Sequence, residues 1–147
     1  IPYSLSRYGQ DSKVHFDALQ KSLSQMPRSD TTFSFARLIS MSEKLSKAGV
    51  ECEKAISSSS GKNHDKINKI LLSLEREWID KEGNPFGSWY QSLYASSDPY
   101  SGYASWMMPA FKYELSQKST TNLKMWEEKY SGVMENNHFT HPVIHPY

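Results

Sequence analysis

The sequence has little of what several classes of protein require. It contains one cysteine, Cys52, in 147 residues, so no disulfide can form within the chain. No apolar run approaches the roughly 18 residues that a membrane-spanning helix needs. We therefore expect a fold that is held by its core alone and that does not insert directly into a membrane.

An excess of charge is also missing. The chain has 17 lysines and arginines against 16 aspartates and glutamates, and its formal net charge at pH 7 is +1. Proteins that bind nucleic acid or an anionic membrane surface carry a basic patch or stripe. The charge balance therefore supports neither partner, and we expect that the chain does not bind nucleic acid.

Motifs of known catalytic chemistry are absent as well. The sequence has no G-x-S-x-G, no H-E-x-x-H, no P-loop and no C-x2-C pair. The residues alone therefore predict no catalytic residue, no metal ligand set and no cofactor in this chain. They favour a binding or assembly domain.

What the sequence does contain is helical periodicity. Apolar residues recur every three or four positions in five segments, as on one face of a helix. About three apolar positions in seven fit the core of a bundle, so we expect an all-α, four-helix-bundle-like domain over residues 1–137, irregular before Val14. The predicted helices are at about 14–26, 31–57, 64–80, 106–117 and 121–136.

A long aromatic loop separates the third and fourth predicted helices, at about 83–105. Ten aromatic residues lie between Leu74 and Leu115. Loops of more than roughly 12–15 residues in a compact domain are usually functional or disordered, and an aromatic composition argues against disorder. The segment 88–96 also suits a short extended piece. We therefore expect the function of the domain to lie in this loop.

The end of the loop has the residues of a fixed turn. Asp98 and Ser101 can bond to nearby backbone groups, and such a framework would present Tyr100 and Tyr103, each with a flat apolar face and one hydroxyl. The alternative is that these tyrosines pack on the bundle. The residues alone leave both interpretations open.

The histidines and the cysteine favour structural roles. Pro142 breaks any helix in the last segment, and this segment has no carboxylate or thiol to complete a metal site. We therefore expect an irregular tail over 138–147. Cys52 lies on the apolar stripe of the second helix, which favours a buried thiol over a nucleophile. The tail histidines have an H-x2-H-x3-H spacing: His138, His141 and His145.

Two phrases resemble the C-terminal dimerisation domain of the transferrin receptor and glutamate carboxypeptidase family. The first is LEREWID at 74–80, and the second is WYQSLYASSDPYSGYASWMMPAFKYEL at 89–115. In that family a helix ending in L-E-R-x-x-I-D leads through a glycine to an aromatic segment. An I-Y-A-P-S-S phrase and a K-Y-A-G-x-S-F-P-G phrase then precede a helix. The likeness is most specific over 67–118 and extends, more loosely, over most of the chain.

The resemblance implies a place in a larger protein. The domain would come last in a type II membrane protein and lie on the extracellular or lumenal side, including the vacuolar lumen. It would pair two subunits, and its other partners would be the protease-like and apical domains of the same chain. Zinc would belong to the protease-like domain alone. The start at Ile1 also leads us to expect a piece of a longer protein.

The resemblance also implies site residues. In peptidase members the long loop reaches the active site, where a Lys-Tyr pair binds the carboxylate side of a glutamate-like substrate. That tyrosine falls on Tyr103 if one residue is inserted near Pro99, whereas the lysine is replaced by Gly102, which removes a charge-assisted contact. Aromatic residues concentrate at the centre of homodimer interfaces. We expect the interface at Trp89, Tyr90, Tyr94, Tyr100, Trp106, Phe111 and Trp126.

Three functions remain open at this point. The domain could be an assembly module of a glutamate carboxypeptidase-like protein, and its loop could also complete the substrate pocket of that protein. Alternatively, the parent could be a receptor or sorting protein that binds a protein partner and has an inactive peptidase domain. Gly102 favours this alternative slightly. The chain departs from the family pattern a second time near Asn136: the last helix of the family continues well past this position, whereas here we expect it to end.

Overall fold

The computed structural model describes residues 4–27, 32–58 and 64–136. Most of these residues are helical, and a short 3₁₀ turn extends the third helix. The elements in chain order are α1 (Leu5–Ser24), α2 (Ala36–Ser58), α3 (His64–Leu74), the 3₁₀ turn (Glu75–Trp78), β1 (Ala95–Ser97), β2 (Ser105–Met107), α4 (Pro109–Ser116) and α5 (Leu123–Asn136).

Helices α1 and α2 form a close antiparallel pair. The first turn of α1 lies against the later part of α2, and the backbone N–H of Phe35 at the start of α2 donates to the side chain of Gln20 near the end of α1, at 2.8 Å. A Cβ atom added to Gly9 would be 2.3 Å from the backbone nitrogen of Ser46. A Cβ on Gly49 would be 2.5 Å from the backbone of Leu5. Glycine at these two positions lets the helix backbones touch.

Four helices share the main core. Phe16 of α1, Leu38 of α2, Phe111 of α4 and Tyr130 of α5 are fully buried in it. The helix α3 instead contributes to a second, smaller cluster with α1 and α2. Cys52 belongs to this second cluster and is 5% exposed, so the prediction of a buried thiol is confirmed. The second cluster consists of Leu5, Cys52, Leu71 and Leu74.

The first helix begins earlier than the sequence indicates. We predicted an irregular segment before Val14, and this is wrong for residues 5–13, which are helical. The reason lies in the residues that α1 buries there: Gly9 and Ser12 are both buried. Because small residues make the contact with α2 here, this part of α1 lacks the apolar residues by which a buried helix face is recognised in a sequence.

The prediction of an all-α fold holds only in part. Residues 106 and 107 were predicted as helix and residue 105 as loop, but all three form β2, which pairs antiparallel with β1 at Ala95–Ser97. Met108 then has φ 51° and ψ 56°, in the left-handed region, and α4 starts only at Pro109. The proline suits a first helical turn, because it needs no N–H there. Trp106 therefore lies on a strand and not on the fourth helix.

Other helix ends also differ from prediction: the second helix, predicted at 31–57, is observed at Ala36–Ser58. The third helix was predicted to reach Asp80, but its α-helical part ends at Leu74. The fifth helix, Leu123–Asn136, was predicted within two residues at its start. The tail 138–147, with its three histidines, lies outside the described residues. Among the described helices none is both long and apolar enough to cross a membrane.

Ion pairs attach α5 to the rest of the fold. Lys129 of α5 contacts Asp80, which follows the 3₁₀ turn, at 2.6 Å. On the other side of the helix, Arg37 of α2 contacts Glu128 at 2.8 Å. The buried hydroxyl of Tyr130 donates to the carbonyl of Leu93 in the aromatic loop. The contacts of Lys129 and Tyr130 hold the aromatic loop against α5, and the Arg37 contact joins α2 to α5.

Candidate functional site

Five aromatic rings form a cluster of their own outside the main core. Phe86 lies at its centre, with ring centroids 5.0 Å from Tyr90 and 5.5 Å from Tyr113. Trp106 is 6.1 Å from Phe86 and 5.9 Å from Tyr100. None of the five belongs to the hydrophobic core clusters of the described residues. We call these five residues the outer aromatic cluster.

The outer aromatic cluster is only half covered. Trp106 is buried, whereas Phe86, Tyr90 and Tyr113 are of intermediate exposure. Tyr100 is 67% exposed. Aromatic rings that touch one another but keep one face in water form a surface that can still gain free energy by contact with a partner.

Strand and helix geometry place the rings of this cluster together. Side chains alternate along β2, so the Trp106 side chain lies on the opposite face of the strand from those of Ser105 and Met107. The ammonium group of Lys112, on α4, lies 5.6 Å above the Trp106 ring. The hydroxyl of Tyr100 accepts a hydrogen bond from the amide of Gln117 at 2.6 Å. Helix α4 therefore fixes one side of the cluster.

A tight turn carries the other side. The buried side chain of Asn84 donates to the carbonyls of Tyr90 and Ser92, at 2.6 and 2.8 Å. Gly83, with φ +80°, precedes it, and a Cβ there would be 2.5 Å from the backbone of Ser88. These contacts fold residues 83–92 back on themselves. They hold Phe86 and Tyr90 in the cluster and leave Trp89 at the tip.

Asp98 organises the loop that connects β1 and β2. Its Oδ1 accepts from the N–H groups of Tyr100 and Ser101, at 2.9 and 2.6 Å. Its Oδ2 accepts from the Ser101 hydroxyl at 2.6 Å and from the N–H of Ala104 at 2.9 Å. The Ser101 hydroxyl, together with these N–H groups, holds the pKa of Asp98 well below its usual range. The sequence-based expectation of a fixed turn at Asp98 and Ser101 is confirmed.

Replacing Asp98 by alanine is expected to loosen this loop. Three backbone N–H groups lose their acceptor, so amide hydrogen exchange at Tyr100, Ser101 and Ala104 should become at least about tenfold faster. Exchange measured by NMR checks this. The amides of Ile39 and Trp126, bonded within helices, serve as controls, and unchanged loop exchange would contradict the assigned role.

The same hydrogen bonds give a dependence on pH. Because the pKa of Asp98 is depressed in the folded chain, its contribution to stability is present above the usual aspartate value of 3.8. It is lost as the pH falls below that value toward the folded pKa. The order of this loop should therefore be constant at neutral pH and decrease only in strong acid.

Two predicted site residues lie at exposed loop tips. Trp89 is 91% exposed and Tyr103 is 96% exposed. Gly102, next to Tyr103, has φ +73° and nothing within 4 Å of the position of a Cβ. No ring contact joins either aromatic residue to the outer aromatic cluster within the described part of the chain. Both side chains are available to a partner.

The remaining predicted interface residues pack inside the chain. Tyr94 stacks on Tyr8, with ring centroids 5.6 Å apart, and burial raises the pKa of its hydroxyl. Phe111 is fully buried. Trp126 is 4% exposed and its indole N–H is 3.4 Å from a carboxylate oxygen of Glu114. Phe111 and Trp126 offer a partner little surface in this conformation, and their place in an interface stays a prediction.

The outer aromatic cluster contains two residues that we did not single out from the sequence. Phe86 and Tyr113 were counted among the ten aromatic residues of the region, but not as candidates for the interface. The signal that could have found Tyr113 is its helical offset from Phe111, which turns it to another face of α4. No comparable signal existed for Phe86 in the irregular turn.

The described residues hold no group of three or more histidine, cysteine, aspartate or glutamate side chains that could bind a metal ion. The fold is a mostly helical domain that carries a cluster of partly exposed aromatic rings outside its core. A family model of the transferrin receptor-like dimerisation domain matches residues 14–138. The chain therefore belongs to the transferrin receptor-like dimerisation domain family. A direct comparison with curated proteins gave no match.

Membership of this family has a first consequence for function. The role it implies is dimerisation in the transferrin receptor and glutamate carboxypeptidase family. A dimerisation domain is an assembly unit and is not itself catalytic. Membership of the family also supports a homodimer as the assembled state. The family resemblance inferred from LEREWID and the loop phrases is thereby confirmed.

Proposed function

We propose that two copies of this chain pair through the outer aromatic cluster together with the exposed side chain of Trp89. The observation that carries this proposal is the set of five touching rings that lie outside the main core, four of which remain partly or largely exposed. Interfaces of homodimers are enriched in aromatic residues at their centre. A dimerisation domain needs such a surface, and this cluster supplies it.

The chemistry of the cluster suits pairing with an identical surface. A symmetric dimer contact places the same patch on both subunits, and aromatic rings can meet edge to face without unpaired charge. Lys112 already lies over the Trp106 ring, so its charge is partly accommodated before the partner arrives. A stable interface buries about 1,200 Å² or more in total, and we propose that Trp89 and Tyr100 extend the patch toward this size.

The predicted interface residues then divide into two groups. We propose direct contact for Trp89, Tyr90 and Tyr100. Trp106, Tyr94, Phe111 and Trp126 would support the interface by holding the elements that present it. We also retain a four-helix-bundle arrangement as the proposed architecture, because α1, α2, α4 and α5 share one core while α3 packs in a separate cluster.

For the whole protein we propose a membrane-anchored glutamate carboxypeptidase-like parent. This domain would lie on its extracellular or lumenal side, in contact with its protease-like and apical domains, and zinc would be held by the protease-like domain. Tyr103 would reach the substrate pocket. Its exposure at the tip of a loop that Asp98 fixes supports this role, since a binding side chain profits from a rigid support.

A second candidate function is a receptor or sorting protein that binds a protein partner without catalysis. The observation that favours it is Gly102, which stands where peptidase relatives would have the lysine of a substrate-binding pair. A Cβ at Gly102 would meet nothing within 4 Å, so no other side chain of the described residues supplies a cation in contact with this position. Zinc-dependent hydrolysis by the full-length parent would decide between the two functions.

The dimer proposal predicts a specific effect of Trp89→Ala. Truncation of an aromatic hot-spot residue to alanine costs about 2 kcal/mol or more, and we expect Trp89 to be such a residue, so the dimer dissociation constant should rise about 30-fold or more. The variant should remain folded, because Trp89 is 91% exposed in one chain. Sedimentation velocity over a concentration series measures the change.

Leu72→Ala is the matched control for this experiment. Leu72 is also an exposed large apolar residue, but it lies on α3, outside the outer aromatic cluster. Its replacement should leave the dissociation constant unchanged. Equal weakening by both variants, or no weakening by Trp89→Ala, would contradict the proposed surface.

A further inference from the structure

A groove separates α1 from the hairpin and α4, on the face of β2 that does not carry Trp106. Its volume is about 410 Å³, which falls in the range of pockets that hold a ligand or a few side chains. Leu19 of α1, Met107 of β2 and Leu115 of α4 give it an apolar floor. The groove is distinct from the outer aromatic cluster, although Lys112 borders both.

The strand that lines this groove has a free edge. In the hairpin, the N–H of Asp98 donates to the carbonyl of Ala104 and the N–H of Met108 to that of Tyr94, both at 2.8 Å. Hydrogen-bonded pairs alternate along an antiparallel ladder. The N–H and C=O groups of residues 105 and 107 must therefore turn outward, and no hydrogen bond satisfies them within the described part of the chain.

The polar residues of the groove give it a preference in charge. The side chains that line it include Lys112 and His15 and, among the residues that the structure describes, no carboxylate. Burial lowers the pKa of His15, although Asp11 one turn away opposes this, and Asp11 is itself 3.5 Å from Arg7. At neutral pH the groove therefore holds the Lys112 ammonium group beside a neutral His15 imidazole. The ammonium group complements an anionic group.

We propose that this groove binds an extended segment of another polypeptide, which adds as a strand to the outer edge of β2. The segment would place an apolar side chain on the floor formed by Leu19 and Leu115, and a carboxylate beside Lys112. Addition of a strand to a free sheet edge is a general mode of peptide recognition, in which backbone hydrogen bonds give affinity and side-chain pockets give specificity. An unpaired edge is the feature this mode requires.

The test is an NMR titration of the isotopically labelled chain with a synthetic hexapeptide of alternating threonine and valine that ends in glutamate and is blocked at both ends. We expect saturable shifts of the Ser105 and Met107 amides. Lys112→Gln should weaken binding by about tenfold, since it removes one charge-assisted contact. Lys69→Gln, at an exposed lysine of α3, should bind as the unaltered chain does.

Two results would overturn the proposal. One is the absence of saturable shifts at these two amides up to low millimolar peptide. The other is equal binding of a peptide that is N-methylated along its backbone, because this would indicate an apolar pocket without strand addition. The Trp89→Ala chain should bind the hexapeptide normally, so failure of the dimer proposal and failure of this one are separable.

Discussion

Replacing Gly9 by alanine is expected to destabilise the domain by about 3 kcal/mol. The new Cβ would lie 2.3 Å from the backbone nitrogen of Ser46 and 2.6 Å from the carbonyl oxygen of Ser42. These atoms belong to α2 and cannot rotate away, so the two helices must move apart. Overpacking in a tight contact costs typically 1–3 kcal/mol and sometimes more, and a clash with backbone lies at the upper end.

Gly132→Ala is the matched control. Gly132 also lies within a helix, α5, but a Cβ there meets nothing within 4 Å. Alanine is favoured over glycine in a helix interior by up to about 1 kcal/mol, so this variant should be slightly more stable. Urea unfolding followed by circular dichroism measures both changes. Equal effects of the two substitutions would show that α1 and α2 do not touch at Gly9.

The second large effect is expected for Phe111→Ala. The Phe111 ring is fully buried, with its centroid 4.9 Å from Phe35 and 4.7 Å from Tyr130. Truncation of a buried phenylalanine costs about 3–5 kcal/mol through lost burial and the cavity that remains. A domain of ordinary stability has only 5–15 kcal/mol in total. We expect a large loss of urea resistance, and dimerisation would be lost with the fold.

Phe86→Ala separates the core from the outer aromatic cluster. Phe86 is only partly buried, so we expect its truncation to cost less stability than that of Phe111 and to weaken the dimer by its own effect on the surface. Sedimentation of the folded variant distinguishes this from unfolding. If Phe86→Ala instead destabilised the monomer as much as Phe111→Ala, the cluster would belong to the core and the proposed surface would be wrong.

The helices were predictable wherever burial uses apolar side chains. In α5 the sequence shows an apolar stripe at Leu123, Trp126 and Tyr130, and the fold buries these three residues. The first turns of α1 were missed because Gly9 and Ser12 are buried for their small size. A pattern of hydrophobicity cannot report a contact in which the backbones themselves meet.

The small sheet was predicted only in part, for a different reason: the extended piece expected at 88–96 overlaps β1 at residues 95 and 96, and β2 was missed. Each strand has three residues, too few for alternation to be told from a helical turn. The hairpin depends on Asp98, which bonds three backbone N–H groups of its loop, and on Met108 in a left-handed conformation. Strand propensity and periodicity over three residues predict neither the hydrogen bonds of Asp98 nor the left-handed conformation of Met108.

The candidate site was predictable as a region but not residue by residue. The sequence indicates that aromatic residues concentrate between the third and fourth helices, and four of the five rings of the outer aromatic cluster lie there, whereas Tyr113 lies on α4. It does not show which rings face inward. Phe111 and Tyr113 are two positions apart on α4, yet one is fully buried in the core and the other is half exposed in the cluster. Only the packing of α4 against α1, α5 and β2 makes that difference.

The most direct test of the central claim is the mass of the unaltered chain in solution, measured by light scattering over a concentration series. If this chain carries its own pairing surface, the mass should rise with concentration from 16.9 kDa toward about twice that value. A mass of 16.9 kDa at every concentration, with the chain folded, would contradict the claim that the outer aromatic cluster pairs two copies.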